Sequence, residues 1–257
     1  MTLRPRRGVR AVLALITVAA AASTAACGTL HGVTSPHDER EHAAAAGTGD
    51  PQPAVDCATD KCVALTFDGG PSRPTPALLD ILKEKHVHAT FFVQGKGHTD
   101  TYPQTVLRMA REGHEIGNHT WSHKNLTALD EKGITDEIAP VQQEVRAITG
   151  HTPTVMRPPQ GRTDDDVSGV MKRLGLAQVL WSATASDFAT RDTDTIIKRI
   201  LEQTHRDGII LLHESYGGTV PAVPTIIDTL QKRGYTLVTV SQLLAPAVPR
   251  PGVVYRP

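Results

Sequence analysis

The chain has 257 residues, of which 39% are hydrophobic and 21% are charged, so its size and composition suit one large globular domain or two small ones. Positive and negative residues balance at 27 each, and removal of the basic N-terminal leader leaves a mildly acidic protein. A protein of that charge without a basic run has little with which to hold phosphate groups, which excludes nucleic acid as a partner. We expect a monomer.

The first 26 residues have the pattern of an export signal. Arginines within residues 4–10 precede an apolar stretch at 11–22 and small residues at 23–26, and the apolar stretch is short for a membrane helix. The run TAAC at 24–27 resembles a bacterial lipobox, in which the cysteine carries lipid. The sequence therefore predicts an extracytoplasmic protein anchored to the membrane through a lipid on Cys27. Ordinary signal cleavage, which would release a secreted protein, is the alternative.

The chain has three cysteines, an odd number for an exported protein. If Cys27 carries lipid, Cys57 and Cys62 remain as a pair in an oxidising compartment, separated by a loop short enough to close. We predict a disulfide between them. Zinc binding is disfavoured because neither a second cysteine pair nor a nearby histidine completes a tetrahedron.

Strand and helix patterns alternate through a predicted domain at 56–246, between a flexible linker at 27–55 and a Pro-rich tail at 247–257. The linker prediction follows from a composition rich in Ala, Gly, Thr and Pro without apolar periodicity. In chain order, the predicted elements are a strand at 63–67, a helix at 77–85, a strand at 88–93, a helix at 101–111, a strand at 114–118, a helix at 136–148, a strand at 177–181, a helix at 193–204, a strand at 209–212, a helix at 222–232 and a strand at 236–240. This alternation predicts a parallel sheet covered by helices, with a small barrel-like closure.

Five short motifs lie at or just after predicted strands. They are TFDGGPS at 66–72, GNHTWSH at 117–123, MRPPQG at 156–161, WSATASDF at 181–188 and ILLHE at 210–214. Asp68 precedes glycines that let the backbone turn, and the four-residue spacing of His119 and His123 predicts two imidazoles on one side of a helical turn, able to bind one cation. Each motif alone also has a structural explanation, such as an Asp-Gly turn, a proline-stiffened loop or a buried core histidine.

In this order, the five motifs resemble those of the polysaccharide deacetylase family, which is built on the NodB homology domain and is also called carbohydrate esterase family 4. The resemblance covers about residues 57–244, and the histidine pair and the Arg157-Pro158-Pro159 run match most closely. It implies an α/β fold of the distorted (β/α) barrel type. It also implies hydrolysis of N-acetyl groups on a cell-wall-type glycan, either peptidoglycan or a chitin-like polymer.

The resemblance implies a role for each motif residue. Asp68 would be the general base that activates water on a divalent metal ion, zinc or cobalt, held by His119 and His123. Arg157 would keep Asp68 ionised and oriented. His213 would be the general acid that protonates the leaving amine, with Asp187 orienting it. The residues that would bind the substrate are Pro159, Gln160, Trp181, Phe188 and Leu211.

Gly69 departs from the family pattern. The family usually has a second aspartate there, which is the third protein ligand of the metal, so its loss should weaken metal binding. Two alternative functions therefore stay open. One is a metal-poor, non-catalytic glycan-binding lipoprotein. The other is an esterase of O-acetylated sugars such as xylan, because an alcohol leaves more easily than an amine.

Overall fold

The computed structural model describes residues 1–2, 30, 32–47 and 55–257. The predicted signal peptide beyond residue 2 and the predicted lipidation site at Cys27 lie outside the described residues. In the part of the chain that is described, no helix is both long enough and apolar enough to cross a bilayer.

Strands and helices alternate along the described chain. The strands are β1 (Val33–Thr34), β2 (Cys62–Gly70), β3 (Thr90–Val93), β4 (Glu115–Asn118), β5 (Val155–Met156), β6 (Ala177–Val179), β7 (Ala183–Thr184), β8 (Ile209–Leu212), β9 (Thr236–Val238) and β10 (Val254–Tyr255). The helices are α1 (Pro36–Ala46), α2 (Thr75–Glu84), α3 (Pro103–Arg111), α4 (Glu131–Thr149), α5 (Asp165–Leu174), α6 (Thr193–Gln203), α7 (Thr219–Lys232) and α8 (Val240–Leu244). Short helical turns lie at Gly95–Thr99, Leu126–Ala128, Pro159–Gly161 and Asp187–Ala189.

The strands form one parallel sheet in the order β1-β10-β6-β5-β4-β3-β2-β8-β7, with β9 paired to β2. Within the described residues, β1 and β7 are the two ends of this order. The prediction of an α/β fold of the distorted-barrel type is confirmed, in the form of a curled half-barrel with helices. The strands β5, β7 and β10 have two residues each, which is too short for sequence periodicity to detect.

The central strand β2 is buried along its length apart from Gly69. A parallel strand covered on both faces reads as a nearly continuous apolar run, as residues 63–67 do. Phe67 on β2 stacks on Phe91 of β3, with ring centroids 5.4 Å apart. At the start of β2, Cys62 forms a disulfide with Cys57. This packing fixes the carboxyl end of β2, from which the first motif projects.

The helix predicted at 136–148 begins earlier in the structure, at Glu131. The Asp130 side chain accepts a hydrogen bond from the Gly133 backbone N–H and so caps the helix, which ends before Gly150 in the left-handed region (φ 83°). The extra residues at the start of α4 include Ile134, which is buried. This longer helix reaches back to the loop that follows β4.

Residues predicted as linker and tail are part of the domain. β1 pairs with β10, and β10 pairs with β6, so both segments extend the sheet. On α1, the buried Arg40 donates to the Leu243 carbonyl and to the Asp207 carboxylate, each at 3.1 Å. Glu39, also on α1, accepts hydrogen bonds from two guanidinium nitrogens of Arg250 through its two oxygens.

The flexible linker predicted at 27–55 therefore does not hold for residues 32–47, and the tail predicted at 247–257 is not separate from the domain. The ordered unit extends beyond the predicted bounds of 56–246. The physical reason is that α1 attaches through paired charged side chains, so its sequence lacks the apolar periodicity that marks an amphipathic helix. Residues 48–54 lie outside the described part of the chain.

Candidate active site

Asp68 lies at the carboxyl end of β2, where the strand pairing shifts register between Asp68 and Gly70. Its side chain is buried, and its Oδ1 accepts a hydrogen bond of 2.7 Å from Nη1 of Arg157. Arg157 follows β5 and is fully buried, and its other donors reach Thr66 Oγ1 and the Val179 carbonyl. The predicted pairing of Asp68 with Arg157 is present, and it places a permanent positive charge beside the carboxylate.

His119 and His123 follow β4 and face each other, with ring centroids 5.0 Å apart. Their spacing predicts a helical turn, but the structure has none there, because Thr120 and His123 both have left-handed backbones (φ 70° and 60°). Nδ1 of His119 lies 2.8 Å from the Arg157 carbonyl, so that nitrogen carries the proton and Nε2 offers a lone pair 3.9 Å from Asp68 Oδ2. Burial lowers the pKa of His119 to about 4, and burial also lowers the pKa of His123, so both imidazoles are neutral at neutral pH.

The loop that carries His123 is held by Glu137 of α4, a residue that the sequence analysis did not single out. The buried Glu137 carboxylate accepts hydrogen bonds from the backbone N–H and the hydroxyl of Ser122, at 2.8 and 2.7 Å. It also pairs with Lys124 at 3.0 Å, and its carbonyl accepts from the Trp121 N–H. The hydrogen bonds from Ser122 and the charge of Lys124 outweigh burial and lower the pKa of Glu137. Nothing in the spacing of the sequence indicates this contact.

His213 follows β8 and is paired with Asp187. Nδ1 of His213 lies 2.8 Å from Asp187 Oδ1, while Oδ2 of Asp187 accepts hydrogen bonds from the His213 backbone N–H and the Thr219 hydroxyl, each at 2.7 Å. Burial acts to lower the pKa of His213, but the hydrogen bond to Asp187 and the nearby carboxylates raise it above its ordinary value. A raised pKa favours the protonated imidazole, the form that a proton donor needs.

One cavity of about 600 Å³ brings these groups together. Its lining includes the predicted residues Asp68, His119, His123, Gln160, Trp181, Phe188, Leu211 and His213. Arg157 and Asp187 lie behind it, fully buried against Asp68 and His213. Pro159, predicted to bind substrate, is buried instead, and it shapes the turn that leaves Gln160 exposed with a left-handed backbone (φ 60°).

The cavity lining also contains residues that the motifs did not indicate: Gln94, His98, Ser215 and Tyr216. Tyr216 and Phe188 both place their rings edge-on to the His213 imidazole, with centroids 5.7 and 6.1 Å away. Tyr216 is separated from the fifth motif by only one residue, so a wider motif window would have included it. Gln94 and His98 follow β3, and only the sheet order brings them here.

The fold and the site together define an α/β half-barrel in which Asp68 and His213, each paired with a buried charged residue, line one strand-end cavity. The model of the polysaccharide deacetylase family matches residues 56–179. The chain is 41% identical over 184 residues to the peptidoglycan-N-acetylmuramic acid deacetylase PdaC of Bacillus subtilis (strain 168), covering 71% of this chain and 38% of the relative. It is 36% identical over 190 residues to the peptidoglycan-N-acetylmuramic acid deacetylase PdaA of the same organism, covering 72% of each.

The solved structure of peptidoglycan deacetylase PdaC from Bacillus subtilis is also similar, with a TM-score of 0.70, 40% identity, and coverage of 75% of this chain and 93% of that chain. This chain belongs to the polysaccharide deacetylase family, as its motifs predict. It spans less than two fifths of the full length of PdaC.

Deacetylases of this family depend on a metal ion. The donors at this site fit a divalent cation, because His119 and His123 are neutral imidazoles and the backbone carbonyl bonded to His119 fixes the free nitrogen, as is usual for a metal ligand. Among the described residues, no group of three or more His, Cys, Asp or Glu side chains is arranged to hold an ion. In the described cavity, His119 and His123 could supply two nitrogen ligands, and a Cβ atom at Gly69, where the family usually has an aspartate, would meet no atom within 4 Å.

Proposed function

We propose that this chain is an extracytoplasmic deacetylase that hydrolyses the N-acetyl groups of a cell-wall glycan. One observation carries the proposal: Asp68 and His213, each backed by a buried partner of opposite charge, line the same cavity as two neutral imidazoles. Similarity to deacetylases of peptidoglycan supports peptidoglycan as the substrate class.

Amide hydrolysis needs a base for the attacking water and an acid for the leaving nitrogen. Asp68, held by its hydrogen bond from Arg157, accepts a proton from the water that attacks the acetyl carbonyl carbon. His213 donates its proton to the nitrogen as the C–N bond breaks, which yields acetate and the free amine of the sugar. When bound by His119 and His123, zinc or cobalt supplies Lewis-acid polarisation of the acetyl carbonyl.

Substrate contacts follow from the cavity lining. Leu211 and Trp181 offer apolar surface for the acetyl methyl group, and Phe188, with 61% of its surface exposed, offers a wall for a sugar ring at the cavity mouth. The Gln160 backbone N–H is the donor that we assign to the developing oxyanion.

The test is acetate release by the purified full chain from peptidoglycan and from N-acetylglucosamine oligomers, with and without added zinc or cobalt. We expect release by the wild type and loss of about 10²–10⁴-fold in Asp68→Asn, because the base is removed. The exposed Asp60, next to the disulfide, gives a matched control: Asp60→Asn should keep wild-type activity. No release with any metal, while a homologous deacetylase is active in the same assay, would reject the proposal.

Gly69 favours one other candidate, a non-catalytic glycan-binding protein, because the metal has one ligand fewer. That candidate predicts glycan binding without turnover and unchanged binding in Asp68→Asn. An esterase of O-acetylated xylan would use the same residues, and the ratio of acetate released from O-acetyl and N-acetyl substrates separates it from an amidase.

We also propose that a lipid on Cys27 anchors the protein. Because β1 begins at Val33, the connection from Cys27 would span at most about 20 Å even when fully extended, which would keep the start of β1 near the membrane. Cys27→Ser should move the protein from the membrane fraction to the soluble exported fraction. Equal membrane association of the two forms would contradict the anchor.

A further inference from the structure

Glu214 is a buried carboxyl group that the proposed chemistry does not use. It follows His213 directly, and none of its side chain is exposed to solvent. Its Oε1 accepts a hydrogen bond of 3.1 Å from the Thr75 hydroxyl, and in the described part of the chain its Oε2 has no hydrogen-bond partner. Such a poorly solvated carboxyl group is costly to bury, so its position calls for a physical explanation.

Thr75 connects Glu214 to the loop that follows β2. The Thr75 hydroxyl oxygen accepts a hydrogen bond of 2.7 Å from the Ser72 backbone N–H and lies 3.3 Å from the Ser72 hydroxyl. The connection therefore runs from the end of β8, beside His213, to the loop that follows the strand end carrying Asp68. These are the two strand ends that carry the proposed acid and base.

Glu214 also lies directly against the backbone of Gly70, the last residue of β2 before this loop. A Cβ atom added to Gly70 would sit 1.6 Å from Glu214 Oε1, so the carboxyl group occupies the space that any other residue at position 70 would need. The Gly70 backbone is not in the left-handed region, so the neighbouring carboxyl group, rather than φ, requires glycine there. The loop and Glu214 fit each other sterically as well as through hydrogen bonds.

We infer that Glu214 is a positioning residue that ties the strand end carrying His213 to the strand end carrying Asp68 and the loop that follows it, and so fixes the separation of the acid and the base. This role rests on the proposed deacetylase function. Glu214 acts through its shape and as a hydrogen-bond acceptor. Burial raises its pKa to about 7, which agrees with a largely neutral group at mildly acidic pH.

The inference predicts different outcomes for two substitutions of similar size. Glu214→Gln keeps an acceptor for the Thr75 hydroxyl and should keep kcat within about threefold of the wild type. Glu214→Met fills the space but accepts no comparable hydrogen bond, and kcat should fall at least about tenfold while KM changes less than about twofold, because misplaced catalytic groups slow the chemical step. The exposed Glu202 on α6 provides the matched controls Glu202→Gln and Glu202→Met, which should both match the wild type.

A second pair of variants tests the steric contact. Gly70→Ala should lower the midpoint of thermal unfolding in the wild type, and the loss should shrink in the Glu214→Ala background, where the clash is absent. Thr75→Val breaks the same connection from the other side and should lower kcat as Glu214→Met does, even if the latter does not fold.

Several results would overturn the inference. They are wild-type kcat in Thr75→Val or in folded Glu214→Met, equal losses in Glu214→Gln and Glu214→Met, and additive effects of Gly70→Ala and Glu214→Ala on unfolding. Absence of acetate release by the wild type itself would count against the proposed function instead, and the unfolding measurements would still report on the contact.

Discussion

The His213–Asp187 pair offers the sharpest test of the proposed acid. In Asp187→Asn, one carboxylate oxygen is replaced by an NH₂ group, which donates hydrogen bonds and cannot accept them. If it replaces Oδ1, it faces the ring N–H of His213; if it replaces Oδ2, it faces the His213 backbone N–H and the Thr219 hydroxyl. The negative charge that stabilises the imidazolium is also lost. The pKa of His213 should therefore fall.

The size of the fall follows from the geometry. A buried hydrogen bond of 2.8 Å to a charged partner contributes about 1.5–3 kcal/mol. Since one pKa unit corresponds to about 1.36 kcal/mol, the pKa of His213 should drop by about 1–2. The alkaline limb of the pH–rate profile should move down by the same amount, so the rate on that limb falls about 10–100-fold.

The assay is acetate release measured from pH 5 to 10, together with an NMR titration of the His213 ring protons in the free protein. Asp194→Asn, on the exposed face of α6, is the control and should leave both curves unchanged. An alkaline limb that stays in place or moves upward in Asp187→Asn would refute His213 as the acid paired with Asp187.

The same pair predicts the sign of a stability change with pH. Because the folded-state pKa of His213 is above its ordinary value of 6.5, protonation of His213 contributes stability that is fully present below about pH 6.5. That contribution is lost as the pH rises through the folded-state pKa. In Asp187→Asn the contribution should shrink, which can be measured by thermal unfolding at several pH values.

Three further substitutions test other parts of the structure. Gly69→Asp should tighten zinc binding more than about tenfold by calorimetry, because a Cβ atom at this position meets no other atom within 4 Å. The left-handed backbone (φ 76°) should cost the variant about 1 kcal/mol of stability. Unchanged zinc affinity would contradict the location of the cation site. Glu137→Ala leaves the Ser122 donors unpaired and should cost about 1–3 kcal/mol in urea unfolding and weaken zinc binding; wild-type affinity would show that this loop does not depend on Glu137. Arg40→Met should lower the free energy of unfolding by about 3 kcal/mol, because Asp207 loses its buried partner. An unchanged unfolding midpoint would show that α1 does not stabilise the domain.

The sequence indicated the main strands of the fold because their signals are local. The run at 63–67 is apolar except for Thr66, as expected for a central parallel strand, and β2 lies at that place in the sheet. The segments that the periodicity missed are short or polar. β10 has two residues, and α1 buries Glu39 and Arg40, whose partners lie about two hundred residues away along the chain.

The site shows the same division. The motifs placed Asp68, His119, Arg157 and His213 at strand ends, and parallel strands bring such ends to one edge of the sheet. No motif or residue spacing in the sequence indicated the contacts of Glu137 and Glu214, because each joins elements that are far apart in the chain. The helical turn expected around His123 did not form, since the loop is held by α4 and has left-handed residues.

The sequence alone determined that this is an alternating α/β chain with catalytic residue types after its strands and with Gly69 in place of the usual carboxylate. Only the tertiary structure decided that Arg157 meets Asp68 across 89 residues of chain, that Asp187 meets His213, and that β1 and β10 extend the sheet. The reason is that periodicity and motif spacing report local geometry. Buried pairs of charged groups form only where strand order and helix length bring distant residues within hydrogen-bonding distance.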